Sequence, residues 1–313
     1  MESTTSTPTP IPSRLFSTAN SSSLSVFKTL ITNPPSTHYP LATETTSNIP
    51  IYTLPPFSSF SPSQRSALQD EWHHILLSGP GIFITKNLYP DPSLLTHVNE
   101  VFDSIIASEA AANVSKGDHF APPNANTRIW NAFSKHGLRD PSSFVDYYSN
   151  PWIPLIASAW LGPAHRLTAQ VNIVMPGGEA QIPHRDYHLG FQGSSEAAAF
   201  PRAAHAASQF LTLQGAVAHG DIPVESGPTR VLPYSQLVEG GYLSIRSEDF
   251  RALFQEHYVS LAMQQGDEYI ASRCESLADI ECVWETDGEC GYGGVDWGDV
   301  GGFEGQVWEG GGE

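Results

Sequence analysis

The sequence predicts an α+β fold in which helices form the first part of the domain and strands form the second. Helical spacing of apolar residues dominates up to about residue 162, and alternating, β-type runs dominate from His165 onward. Helices followed by a series of strands are typical of α+β domains, and short strands separated by glycine and proline favour a sandwich or a barrel. The 313 residues suffice for one large domain or two small ones.

The first part of the predicted domain places one strand between helices. Apolar residues recur on one helical face in residues 58–78 and again in residues 91–111, where Pro92 fits the first helical turn. Residues 79–90 are a β-rich run bounded by glycine and proline, which predicts a strand. Residues 140–162 contain two further short helices by the same criterion.

The second part of the predicted domain consists of strands separated by turns. The run HRLTAQVNIVMPGG begins at His165, alternates between apolar and polar residues, and ends in a glycine turn. Residues 208–235 hold two more β-type runs, which are separated by Gly-Asp and by Ser-Gly-Pro. The β half of the domain is therefore expected to begin near residue 165.

Both ends of the chain differ in composition from its middle. Residues 1–50 are rich in serine, threonine and proline, and we expect them to be disordered. Residues 51–267 have the composition of a folded domain. From Gly266 to the end, the chain has 13 acidic residues, one basic residue and 12 of the 26 glycines. We therefore expect residues 268–313 to form an acidic, glycine-rich, disordered tail.

Charge and hydropathy exclude several classes of function. The net charge of −18 argues against a nucleic-acid partner, because phosphate binding requires a basic surface. No apolar run approaches 18 residues, so a membrane-spanning segment is not expected. The acid-poor N terminus carries only Arg14 and is a weak match to a transit peptide. A cytoplasmic protein that acts on a small-molecule substrate is the expectation.

One short motif has the residue types of a non-haem iron site. Such sites bind iron through two histidines and one carboxylate on one face of the metal. His184 and Asp186 are separated by one residue, so in a strand their side chains would lie on the same side. A second pair with this spacing, His219 and Asp221, shows that the triplet alone is weak evidence. Most such histidines are surface residues or satisfied core residues.

The surroundings of the first pair carry a family resemblance. AQVNIVMPGGEAQIPHRDYHLGFQ (169–192), followed by VESGPTRVLPYSQ (224–236), resembles the phytanoyl-CoA dioxygenase family over roughly residues 55–267. Members of this family are Fe(II)- and 2-oxoglutarate-dependent oxygenases that also use O2. The resemblance implies a double-stranded β-helix, a jelly-roll or cupin-like core, with flanking N-terminal helices.

The resemblance also implies roles for individual residues. His184 and Asp186 would be the catalytic iron ligands. Gln170 and Asn172 lie on the preceding strand, face one side by alternation, and are candidates to contact 2-oxoglutarate. The alternative for Gln170 and Asn172 is that they are polar residues on a solvated strand face.

Three further residues are candidates to contact the substrate. Arg185 and His188 lie beside the predicted iron ligands, and Trp130 occurs in the run NTRIWNAF. A core position is the alternative for Trp130. None of the three has a role that the sequence alone assigns.

The third iron ligand expected from the resemblance is missing. In the family, the last histidine follows a Gly-Asp strand start by roughly ten residues, and a later arginine pairs with 2-oxoglutarate. Gly266-Asp267 matches that start, but no histidine follows His257 and no arginine follows Arg273. His219 and His257 are the weak candidates for the third ligand. We therefore also expect the β-helix to be incomplete at its C-terminal strands.

Two functions follow from these observations. The first is an Fe(II)/2-oxoglutarate-dependent dioxygenase that hydroxylates a small organic metabolite, such as a natural-product intermediate, with succinate and CO2 as co-products. The second is a catalytically impaired or dead relative, whose truncated or frameshifted C terminus lacks the distal histidine and the 2-oxoglutarate arginine. A cupin-type enzyme that does not use 2-oxoglutarate is a third reading, which the Gly-Pro-Thr turn disfavours.

Overall fold

The computed structural model describes helices, strands and turns over most of the central chain. The described residues are 11–15, 22–112, 126–174, 184–185, 189, 194–238, 248–272, 275–277 and 282–287. The helices in this part of the chain are α1 (Ser22–Thr32), α2 (Pro62–Ser78), α3 (Pro92–Ala111), α4 (Ala132–Arg139), α5 (Pro141–Tyr148), α6 (Trp152–Leu161), α7 (Ser194–Ala199), α8 (Arg202–Phe210) and α9 (Glu248–His257). Short 3-10 helices occur at Phe57–Ser59, Val224–Ser226 and Ser235–Leu237.

The strands form two sheets. They are β1 (Glu44–Thr46), β2 (Ile49–Thr53), β3 (Ile82–Lys86), β4 (Asn126–Ile129), β5 (Thr168–Val174), β6 (Thr212–Val217), β7 (Arg230–Leu232), β8 (Val259–Ser260), β9 (Glu268–Ala271), β10 (Glu275–Leu277) and β11 (Cys282–Asp287). The larger sheet has the order β1-β2-β3-β9-β6-β11-β5-β4, and the smaller has the order β10-β7-β8. The larger sheet is mixed, because β2 and β3 pair in parallel whereas β3 and β9 pair antiparallel.

Helix α2 shows how the local sequence sets a boundary. The Ser61 side chain accepts a hydrogen bond from the Gln64 amide, and the Gln64 side chain accepts one from the Ser61 amide at 2.9 Å. Pro62 occupies the first turn, where no amide donor is needed. The buried face includes Trp72, so the helical spacing predicted for this segment is confirmed.

Alternation along the strands separates two cores. On β3, Phe83 belongs to the cluster that includes the α2, α3 and α6 side chains, whereas Ile82 and Ile84 belong to a second cluster. On β9, Ile270 belongs to the helix-side cluster and Tyr269 to the second one. Residues of both sheets contribute to the second cluster, so it packs the two sheets together.

The N-terminal region contains secondary structure. Disorder was expected for residues 1–50, but α1, β1 and the beginning of β2 lie within this range. Phe27 of α1 is fully buried, and its ring centroid lies 5.0 Å from that of Phe250 on α9. Apolar residues within a Ser/Thr-rich segment can therefore form a helix when another helix covers them.

The C-terminal region also differs from the expected disorder. Strands β9, β10 and β11 all lie beyond residue 267, and the four residues of β9 are buried. Strand β11 lies between β5 and β6, where Val283 pairs with Gln170 on one side and Ala216 on the other. The larger sheet therefore continues into the acidic tail, whereas the expected incompleteness of the β-helix stays a prediction.

The predicted α+β combination of helices and strands is confirmed by the helices and the mixed sheet, whereas the double-stranded β-helix stays a prediction. None of the helices in the described ranges combines the length and apolar character required to cross a membrane.

Candidate active site

The structure places His184 and Arg185 in the interior. The exposed fractions of these residues are 7% and 1%. Asp186 and His188, the neighbouring predicted site residues, lie outside the described residues. The predictions for Asp186 and His188 therefore stay predictions.

Arg185 is held by hydrogen bonds to the protein itself. Its Nη1 donates to Gln209 Oε1 at 3.1 Å, and its Nη2 donates to the carbonyls of Ser235 at 2.7 Å and Val238 at 3.2 Å. These hydrogen bonds attach the guanidinium to α8 and to the 3-10 turn that follows β7. The predicted contact of Arg185 with substrate stays a prediction.

The anchoring of Arg185 bears on the orientation of His184. Neighbouring residues in an extended segment point to opposite sides of the chain. Because Arg185 points toward α8 and the Ser235–Leu237 turn, an extended segment directs His184 to the other side. A buried imidazole of this kind has the chemistry of an iron ligand.

A polar patch on β4 and β5 contains the predicted 2-oxoglutarate residues. Asn172 is 3% exposed, and Oδ1 of this side chain has no hydrogen-bond partner. Arg128 pairs with Asn172 in the register of β4 and β5, and Arg128 Nη2 donates to Gln170 Oε1. The guanidinium also lies over the Trp130 ring, 4.1 Å from its centroid. We name Gln170, Asn172, Arg128 and Trp130 the β4–β5 polar patch.

Arg128 is the residue of this patch that the sequence reasoning missed. It lies two positions before Trp130, so strand alternation applied to NTRIWNAF places both on one side. That signal was present, but strand β4 itself was not predicted. Trp130 is half-buried beneath the guanidinium, and its predicted contact with substrate stays a prediction.

His219, a weak candidate for the third iron ligand, is hydrogen-bonded through both ring nitrogens. Its Nε2 lies 2.7 Å from the Tyr147 hydroxyl, and its Nδ1 lies 2.6 Å from Asn99 Oδ1. Asn99 Oδ1 can only accept, so Nδ1 donates to it and Nε2 accepts from Tyr147. Burial, and secondarily nearby His136, lowers the pKa of His219 to about 3. Both ring nitrogens of the neutral imidazole are therefore bonded within the protein, and the weak candidacy of His219 as the third ligand stays a prediction.

His257 is the remaining weak candidate. It ends α9, and its Nε2 lies 3.7 Å from Glu256 Oε2 on the neighbouring residue. The structure does not bring His257 into a group of ligands, because no three His, Cys, Asp or Glu side chains form one within the described residues. Its role stays a prediction.

The described residues fit an iron centre only in part. His184 is one ligand of suitable chemistry, and Asp186 lies outside the described residues. The position roughly ten residues after Gly266-Asp267 falls on β10, where the residues are Glu275, Ser276 and Leu277. Within the described residues, the chain therefore does not complete a two-histidine, one-carboxylate site.

The His-x-Asp pair, the β4–β5 polar patch and the mixed sheet point to the class of non-haem iron oxygenases. The family model described as Phytanoyl-CoA dioxygenase (PhyH) matches residues 54–270, which is more than two thirds of the chain. The chain belongs to this family, whose members use Fe(II), 2-oxoglutarate and O2. No curated protein sequence matches the chain significantly.

Several solved structures are similar to the chain at low sequence identity. The non-heme alpha-ketoglutarate-dependent epimerase SnoN from nogalamycin biosynthesis is 15% identical, over 71% of this chain and 82% of that one, with a TM-score of 0.46. The non-heme alpha-ketoglutarate-dependent carbocyclase SnoK from the same biosynthesis is 14% identical, over 72% of this chain and 86% of that one, also with a TM-score of 0.46.

Proposed function

We propose that the protein is an Fe(II)/2-oxoglutarate-dependent dioxygenase that hydroxylates a small organic metabolite. Membership of the phytanoyl-CoA dioxygenase family over residues 54–270 is the observation that carries this proposal. A natural-product intermediate is one kind of substrate that the family resemblance suggests. The bound cofactors would supply an oxidation in which one atom of O2 enters the product and the other enters succinate, with release of CO2.

We also propose that the two sheets form a double-stranded β-helix. The apolar cluster between them supports this architecture, because a jelly roll packs two sheets face to face around one core. Strand β11 contributes by joining β5 to β6 within the larger sheet.

In this proposal, His184 and Asp186 bind the metal and the β4–β5 polar patch binds 2-oxoglutarate. Arg128 supplies a guanidinium beside Gln170, and a guanidinium can meet a carboxylate with two parallel hydrogen bonds. Asn172 lies opposite Arg128 in the register of β4 and β5, and a side-chain amide group can donate to a carboxylate. Arg128 thus takes the role expected of the arginine that the tail lacks.

The test is succinate formation by purified protein with Fe(II), 2-oxoglutarate and O2. We expect His184→Ala to abolish it and Arg128→Met to raise the KM for 2-oxoglutarate at least tenfold, because a guanidinium–carboxylate pair is lost. The exposed His38 gives the matched control, and His38→Ala should leave succinate formation unchanged. A His184→Ala variant as active as the parent would refute the site.

The second candidate is a catalytically impaired or dead relative of these oxygenases. The observation that favours it is the sequence beyond His257, which has no histidine and, after Arg273, no arginine. It predicts neither stoichiometric iron nor 2-oxoglutarate binding in anaerobic isothermal titration. The coding DNA past residue 267 tests its origin, because a frameshift requires a shifted frame that encodes a histidine followed by an arginine.

A further inference from the structure

Arg185, which adjoins the predicted ligand His184, is the most deeply buried of the described arginine, lysine, aspartate and glutamate side chains. It is 1% exposed and is among the largest fully buried side chains of the described chain. Burying a guanidinium is costly unless hydrogen bonds replace its water. Here three acceptors do so: Gln209 Oε1 and the carbonyls of Ser235 and Val238.

The three acceptors belong to two different parts of the fold. Gln209 lies in the last turn of α8. Ser235 begins the 3-10 turn after β7, and Val238 ends it. The Ser235 carbonyl also accepts the Val238 amide within the turn at 3.2 Å, so the Arg185 guanidinium is its second donor. Arg185 therefore ties the segment at His184 to both α8 and this turn.

The turn is itself held in an unusual backbone conformation. Tyr234 precedes it with a φ of 68°, in the left-handed region that non-glycine residues rarely adopt. Its amide donates to the Pro80 carbonyl at 2.8 Å, and Gln236 Nε2 donates to the Gly79 carbonyl at 2.7 Å. The turn is thus fixed to the chain before β3, so it is a rigid support for Arg185.

We infer that Arg185 is a positioning residue that fixes the orientation of the metal-binding segment. Alternation places His184 on the side opposite to Arg185 if the segment is extended. Holding the Arg185 guanidinium at three points then restrains the rotation and translation of the neighbouring His184. Groups that orient metal ligands in this way typically change metal affinity 10- to 100-fold when they are removed.

The first test uses amide hydrogen exchange in metal-free protein, followed by mass spectrometry. In Arg185→Met, we expect exchange in the peptide covering residues 184–189 to accelerate at least tenfold, with a smaller acceleration in Gln209→Leu. A peptide covering β3 should not change. Acceleration that is equal throughout the chain, or none at residues 184–189, would overturn the inference.

The matched control is an arginine that also bonds a carbonyl, but elsewhere. Arg65 Nε donates to the Phe60 carbonyl at 3.1 Å, and its guanidinium lies 4.5 Å from the Phe57 ring centroid. Arg65→Met should leave exchange at residues 184–189 unchanged. If Arg185→Met does not fold, the Gln209→Leu result decides, because that variant removes one acceptor and keeps the arginine.

The second test is anaerobic titration with Co(II), and this part rests on the proposed function. Co(II) affinity should fall at least tenfold in Arg185→Met, fall less in Arg185→Lys, and stay unchanged in Arg65→Met. Unchanged affinity in Arg185→Met would contradict the positioning role. If the wild-type protein binds no Co(II), the proposed function fails, whereas the exchange experiment still decides whether Arg185 anchors the segment.

Discussion

Glu268 is a buried carboxyl group at the first position of β9. It is 6% exposed and lines a small cavity between α6 and the larger sheet, together with Gln214. A Cβ at Gly215 would lie 3.2 Å from Glu268 Oε1, so the glycine leaves the room that this side chain occupies. The Thr85 hydroxyl is 3.4 Å from Glu268 Oε2, a long contact for a hydrogen bond. The protein therefore gives the buried Glu268 carboxyl group little hydrogen bonding in place of water.

This environment predicts a pH dependence of stability. Burial raises the pKa of Glu268 to about 8, against a smaller lowering effect of Thr85. The unfolded chain releases this proton near the ordinary glutamate pKa, so the free energy of unfolding should fall between about pH 4 and pH 8. Glu268→Gln removes the ionisation, and we expect it to stabilise the protein by about 1–3 kcal/mol at pH 9. Urea unfolding at pH 5, 7 and 9 measures the difference.

The exposed Glu256 provides the control for this prediction. Its side chain is 74% exposed, so Glu256→Gln should leave the pH dependence unchanged. Equal stability of Glu268→Gln and the parent at pH 9 would show that the carboxyl group finds other stabilisation in the fold.

At the scale of single residues, the sequence predicted which residues are candidates for the site better than it predicted the contacts that those residues make. The family resemblance selected His184, and the burial of that residue is consistent with a ligand. It could not show that Arg185 donates to carbonyls about 50 positions away, or that Asn99 and Tyr147 occupy both nitrogens of His219. Such contacts depend on tertiary structure, and no local pattern encodes them.

At the scale of elements, strong local signals were sufficient for the central helices. The α2 capping box and the apolar face of α3 both follow from spacing within the segment. Strands β4 and β11 have no comparable signal. Ile129 of β4 packs into the helix-side core, and β11 pairs with β6 as well as with β5, so both strands depend on partners that are distant in the sequence.

The contribution of backbone pairing by strand β11 to stability can be tested with a proline substitution. Its residues pair with β5 on one side and β6 on the other, so it is a central strand. Proline removes an amide donor and is found essentially only at sheet edges. Val283→Pro should therefore destabilise the protein by about 1–3 kcal/mol, the cost of an unsatisfied buried backbone group, as measured by urea unfolding.

The comparison for Val283→Pro is a proline in an edge strand. Strand β1 ends the order of the larger sheet, so Thr45→Pro should cost less than Val283→Pro. Equal stability of Val283→Pro and the parent would mean that β11 does not contribute to the fold in solution.

At the scale of the whole molecule, the distribution of charge opposes compactness. The chain carries 33 acidic and 15 basic residues, a net charge of −18, and the excess is concentrated after residue 265. Strands β9, β10 and β11 bring part of this acidic region into the two sheets. A net charge far from zero destabilises a compact state through self-repulsion.

Salt should therefore stabilise this protein. Between 0.05 and 0.5 M NaCl at pH 7.5, the Debye length falls about threefold, so repulsion among exposed carboxylates weakens. We expect the Tm to rise by roughly 2–4 °C, which corresponds to about 1 kcal/mol for a domain of this size. LiCl and KCl should give the same increase if screening is the cause. Glu268→Gln should show the same response as the parent, because Glu268 is buried and is not one of the exposed carboxylates whose repulsion salt screens. A Tm that stays constant or falls with salt would show that the acidic residues are already neutralised by local partners.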